Sequence, residues 1–238
     1  MTGPGGRRGR VALFVGAAVV LATALVVVLA SATSLSVSPK NTSAFRTCVL
    51  TGYPTTSAVV ADTWVDENAK TSNKKSGAFV QGTSKSSANK RAFLRFDLTR
   101  CTPVLATAAT VKRATLRLSL SQAPASARTY NVQRIVSPCP EAATTCWTEA
   151  GLTWNNQPSV SSTVTSTLNL TSSSSLQYYA WDVTADAAAF VAGTAGNYGW
   201  RIADSAEGNA TAIDTQFKSK DASANAAGAP ELVIAYSP

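Results

Sequence analysis

The stretch Arg91-Ala-Phe-Leu-Arg-Phe-Asp97 decides how the chain is read. Ala92, Leu94 and Phe96 alternate with Arg91, Phe93 and Arg95. A period of two belongs to a strand with one apolar and one polar face, not to a helix. Thr115-Leu-Arg-Leu-Ser-Leu120 repeats the pattern, with Leu116, Leu118 and Leu120 on one side. Tyr179, Trp181 and Val183 follow it, then Tyr198, Trp200 and Ile202, then Ile213, Thr215 and Phe217, then Leu232, Ile234 and Tyr236. Only Asp186 to Ala192 reads as a short helix, stopped by Gly193. The Ser/Thr-rich run from Ser159 to Ser175 reads as a long loop with a poor edge strand. Short alternating segments between turn-rich stretches predict an all-β chain, an antiparallel β-sandwich of jelly-roll type, with its domain over residues 58–238.

The first part of the chain has a different character. Arg7, Arg8 and Arg10 precede an uncharged run from Val11 to Ala32, long enough as a helix to cross a hydrocarbon core. The run ends in Ala30-Ser31-Ala32, a pattern that a signal peptidase can cut. Residues 1–32 are therefore read as a signal peptide or signal-anchor helix, and either form places the rest of the chain outside the cytoplasm, secreted or tethered at the surface. Residues 33–57 are polar and contain Pro39 and Pro54, and they read as an extracellular stalk or lead-in.

The four cysteines, Cys48, Cys101, Cys139 and Cys146, all follow the apolar run, as suits an oxidising compartment, and their spacing fits no zinc pattern. Three pairings are open. The short spacing between Cys139 and Cys146 favours a local loop, which leaves Cys48 with Cys101.

Composition removes much chemistry. The 238 residues include no histidine, which excludes a Ser-His-Asp triad, a Cys-His dyad, His-ligated zinc and imidazole acid–base catalysis. Phosphate loops and nucleotide fingerprints are absent. No catalytic residue is assigned and the chain is not expected to be an enzyme. The formal charge is +8, yet Lys70, Lys74, Lys75, Lys85, Lys90, Arg91, Arg95 and Arg100 lie in one stretch against Asp97 alone. Such a concentration attracts polyanions. For an exported chain these are uronate polysaccharides, teichoic acids or anionic lipid headgroups rather than nucleic acid. A solvated set of lysines that blunts a sheet edge is the plainer alternative.

Alternation places Phe93 outward between Arg91 and Arg95. An exposed ring flanked by guanidinium groups stacks on a sugar while the arginines fork onto carboxylates. The expected ligand-binding set is Arg91, Phe93, Arg95, Lys74, Lys75 and Lys90, with Trp64, Trp147 and Trp154 as further stacking candidates. Asp62, Asp66 and Glu67 are close in sequence and suit a structural calcium ion, although without EF-hand spacing; no other cofactor is expected.

Several segments together resemble the DNRLRE-type extracellular domain, also classed as carbohydrate-binding module family 96. They are Ala61 to Glu67, Arg91 to Leu98, Ala114 to Leu120, Trp147 to Pro158, Trp181 to Thr184, Gly193 to Ile202, Phe217 to Ala222 and Ala229 to Tyr236. The most specific is Trp147-Thr-Glu-Ala-Gly-Leu-Thr-Trp-Asn-Asn-Gln-Pro158. The resemblance implies a jelly-roll sandwich found in surface proteins or beside polysaccharide-degrading enzymes, binding sugar without a catalytic set. A structural or adhesive surface domain with no glycan specificity is the alternative.

Overall fold

The computed structural model describes residues 45–52, 59–75, 79–81, 85–101, 109–137, 147–221 and 228–237. The apolar run Val11 to Ala32, Cys139 and Cys146 lie outside the described residues. Among the described residues no helix is long and apolar enough to cross a membrane.

Among the described residues eleven strands form two antiparallel sheets. The first sheet contains β1 (Arg46–Thr51), β3 (Phe79–Gln81), β5 (Thr110–Gln122), β8 (Tyr178–Asp182), β10 (Gln216–Lys218) and β11 (Glu231–Ser237). The second runs in the order β2 (Val60–Asp66), β4 (Lys90–Phe96), β9 (Trp200–Asp204), β6 (Arg128–Arg134) and β7 (Ser166–Leu170). The helix α1 (Thr184–Val191) matches the Ala-rich segment expected to be helical.

The core forms where the apolar faces meet. Leu116, Leu118, Leu120, Trp181, Phe217, Leu232, Ile234 and Tyr236 come from the first sheet; Ala92, Leu94, Phe96, Tyr130, Val132, Trp200 and Ile202 come from the second. Edge-to-face contacts order this core: Phe217 lies 5.7 Å from Trp181 within the first sheet and 6.2 Å from Tyr130 across to the second, between ring centres. The Asp186 carboxylate at the edge of this layer is paired, as a low-dielectric interior favours, whereas the buried Tyr236 hydroxyl has no partner. Asp186 on α1 accepts from Trp200 Nε1 at 2.9 Å and Thr165 Oγ1 at 2.7 Å, and Arg134 stands 3.5 Å from it. The helix is thereby fixed to the second sheet.

Gly199 enters β9 with φ +87°, where an added Cβ would collide with the Leu94 carbonyl oxygen. The close approach of the β9 lead-in to β4 therefore requires glycine.

The polar lead-in expected over residues 33–57 contains a strand. β1 pairs with β11 in antiparallel register from Arg46↔Tyr236 to Thr51↔Glu231. Its alternation is weak because an edge strand buries little; Leu50 is its one fully buried residue. Cys48 is bridged to Cys101, which ends the short helical turn Leu98–Cys101 after β4, 53 residues away in sequence. The expected poor edge strand within Ser159 to Ser175 is β7, hydrogen-bonded to β6.

Candidate functional site

The outward residues of β4 meet a second, smaller core. Phe93 and Val65 from the strands, Ile135 just after β6, and Trp147 and Leu152 from the segment that follows bury one another. Trp147 lies edge-on to Phe93, 6.1 Å between ring centres, and its Nε1 donates to the Tyr198 carbonyl at 2.8 Å. Phe93 has no exposed surface. Alternation gives its direction correctly, but the ring is covered by residues 147–152 and does not offer a face to a sugar. That corrects its place in the expected binding set.

The covering segment is held by its own side chains. Thr153 N donates to Asn156 Oδ1 at 2.6 Å, Asn156 Nδ2 to the Gly151 carbonyl at 2.9 Å, and Gln157 Nε2 to the Trp154 carbonyl at 2.9 Å. This is the turn chemistry that Asn favours. Asn73 Nδ2 donates to the Glu149 and Leu152 carbonyls, both at 2.8 Å, and fastens the segment to residues 67–75.

The basic residues divide into two groups. On the outer face of the second sheet, the Arg91 guanidinium lies 4.4 Å from the Trp154 ring centre and that of Arg95 lies 5.1 Å from the Trp147 ring centre. Arg91 also donates from Nε and Nη2 to the two Glu207 oxygens at 2.8 and 2.7 Å, and from Nη1 to Gln157 Oε1 at 3.0 Å. The second group surrounds Trp64, with Lys74 Nζ at 5.2 Å and Lys90 Nζ at 5.4 Å from its ring centre. Trp64 Nε1 is buried without a hydrogen-bond partner. Lys75 is exposed, and its backbone N donates to Asn73 Oδ1. Arg91 and Arg95 thus lie over indoles on one face, cationic groups on aromatic supports; Trp147, expected as a stacking candidate, is itself buried, whereas Trp154 is half-buried.

Sequence spacing did not mark Arg201 on β9. It stands opposite Phe93 of β4 and Gln133 of β6, so it occupies the middle of the same outer face. Its Nη2 donates to Gln133 Oε1, and its Nε is buried with no acceptor. Burial, with the nearby Arg91 charge, pulls the Arg201 guanidinium down to about 10; Glu207 offsets this in part.

Asp62, Asp66 and Glu67 do not form a common site. Asp66 Oδ1 accepts from Asn68 N at 2.9 Å, and Glu67 Oε2 accepts from Asn89 N and Nδ2 at 3.1 and 2.6 Å. An extended strand carries Asp66 about 13 Å beyond Asp62, too far to share a cation. Asp62 instead joins Glu149 and Asp221, with one oxygen of each within 4.8 Å of the others. Three oxygen donors suit a hard cation in type, but the Lys220 ammonium stands among them, 2.5 Å from Glu149, 2.9 Å from Asp221 and 3.8 Å from Asp62. The lysine supplies the positive charge there. Burial raises the Asp62 carboxyl to about 7, against the donation from Lys220 N at 2.6 Å. Burial also raises Glu149, while Lys220 is held up by Glu149 and Asp221 against its own desolvation. The cluster links β2, the Trp147 segment and the chain after β10.

Comparison with known proteins agrees with the motif order. A family model described as carbohydrate-binding module family 96 matches residues 53–236. No curated protein matches the chain.

Proposed function

The chain belongs to carbohydrate-binding module family 96, and from that premise we propose that it is an exported, non-catalytic module on a jelly-roll sandwich, binding acidic polysaccharides at the outer face of the second sheet. One observation carries this reading: the pairing of Arg91 with Trp154 and of Arg95 with Trp147 on a single strand face. The half-buried Trp154 ring supplies apolar contact to sugar carbons, while the buried Trp147 supports Arg95 from beneath, and guanidinium groups fork onto carboxylates. Both groups are held before any ligand arrives, Arg91 by Glu207 and Gln157, Trp147 by Tyr198. Preorganisation of this kind reduces the side-chain entropy lost on binding. A signal or anchor at residues 1–32 would deliver the domain to the cell surface or beyond it, where such polymers occur.

A glycan array of polyuronates, sulfated galactans and neutral glucans tests this reading. Retention on anionic glycans, with weak or no retention on neutral ones and no chain cleavage, is the expected result. Equal indifference to every glycan would favour a structural or adhesive surface domain instead.

A further inference from the structure

We propose that Arg201 is the anion-recognition residue of this site, receiving on its guanidinium the carboxylate of a uronate or the sulfate ester of a sulfated sugar in the bound glycan. The proposal rests on the reading that the chain binds acidic polysaccharide, and it names where the acid group goes.

Among the described arginines that are not exposed, Arg95 and Arg201 lack a carboxylate partner; Arg95 lies over the Trp147 ring, and Arg201 is the one with a buried guanidinium nitrogen left without an acceptor. Arg91 is paired with Glu207, Arg117 with Glu231, Arg128 with Asp204 and Arg134 with Asp186. Arg201 has no carboxylate within ion-pair distance among the described residues, although its side chain is partly buried and its Nε fully so. The nearby carboxylate, Glu207, already gives both oxygens to Arg91. Arg91, Arg201 and Glu207 together therefore leave one positive charge without a counter-ion. A desolvated cation without a partner is unfavourable, and an arriving anion removes that penalty.

The hydrogen-bond geometry points the same way. Of the Arg201 donors only Nη2 is used, by Gln133 Oε1. Gln133 is itself held, since its Nε2 donates to the Ser161 carbonyl at 2.9 Å. The contact fixes the plane of the guanidinium and leaves Nη1 with no protein acceptor among the described residues. Neighbouring strands place Arg201 beside Phe93, above which lie Trp147 and the segment bearing Trp154. A sugar resting against that segment presents its acid group to β9.

The test is calorimetric titration of the whole chain and of Arg201→Gln and Arg201→Lys, with a polyuronate, a sulfated galactan and a neutral glucan. The expected result is a tenfold or greater loss of affinity for the anionic glycan in Arg201→Gln, with a smaller loss in Arg201→Lys. Thermal stability should be unchanged or raised, because an uncompensated buried charge is removed. Whichever anionic polymer shows the loss identifies carboxylate or sulfate as the group bound. If the wild-type chain binds a polyuronate and Arg201→Gln binds it within twofold, the assignment is overturned. A variant that loses melting temperature along with affinity makes Arg201 structural and also overturns it. Failure of the wild-type chain to bind either anionic polymer removes the acidic-glycan reading itself, and this assignment with it.

Discussion

Asp62 shows how burial changes what a residue does. Its carboxyl, at about 7 in the fold against 3.8 ordinarily, takes up protons in the native state that the unfolded chain does not hold. Native protein therefore binds more protons between these values, and its stability falls as pH rises through that window. Glu149 shifts in the same direction. Asp62→Asn should flatten this dependence and raise the melting temperature at pH 8 more than at pH 4. Parallel melting curves for the two proteins across pH would contradict it. Trp147 is a purely steric case, buried against Phe93 and fixed by its indole N–H. Trp147→Ala should cost about 3–5 kcal/mol in denaturant unfolding, and a loss under 1 kcal/mol would show the second core to be dispensable. At this scale the sequence spoke about direction and not about cover. Period two placed Phe93 outward correctly, whereas nothing near position 93 reveals that residues 147–152 return to bury it.

Elements were legible where alternation was strong. Arg91 to Phe96, Thr115 to Leu120 and Leu232 to Tyr236 lie in β4, β5 and β11, and α1 follows from its Ala-rich segment. β1 was hidden because its partner β11 and its bridge to Cys101 lie far away in sequence, and an edge strand needs few apolar residues. Mutating both Cys48 and Cys101 to Ala should remove about 4 kcal/mol, the chain entropy released by opening a loop of that size. Faster amide exchange confined first to β1 would show that this element depends on the bridge. The Trp147–Pro158 segment depends on a different anchor, Asn73. Asn73→Ala should increase proteolytic cutting at residues 148–153 and weaken glycan binding several-fold, while the main core, measured by near-ultraviolet circular dichroism, stays native.

For the whole molecule, the concentrated positive charge resolves into two surfaces. Lys74 and Lys90 flank Trp64, while Arg91 and Arg95 lie on Trp154 and Trp147. The carboxylates regroup as well, since Asp62 meets Glu149 and Asp221 from remote parts of the chain around Lys220. Only the fold brings these together, so linear proximity of Asp62, Asp66 and Glu67 pointed to the wrong set. Arg201 was hidden for the same reason: its importance comes from the carboxylate it lacks. A site built from arginines and indoles should bind through both charge and contact. Titrating the chain and Trp154→Ala with a polyuronate oligosaccharide, in low and in high salt, tests this most directly. The account predicts saturable binding that weakens in high salt and falls at least tenfold in the variant; equal binding by both proteins would place the site elsewhere and contradict it.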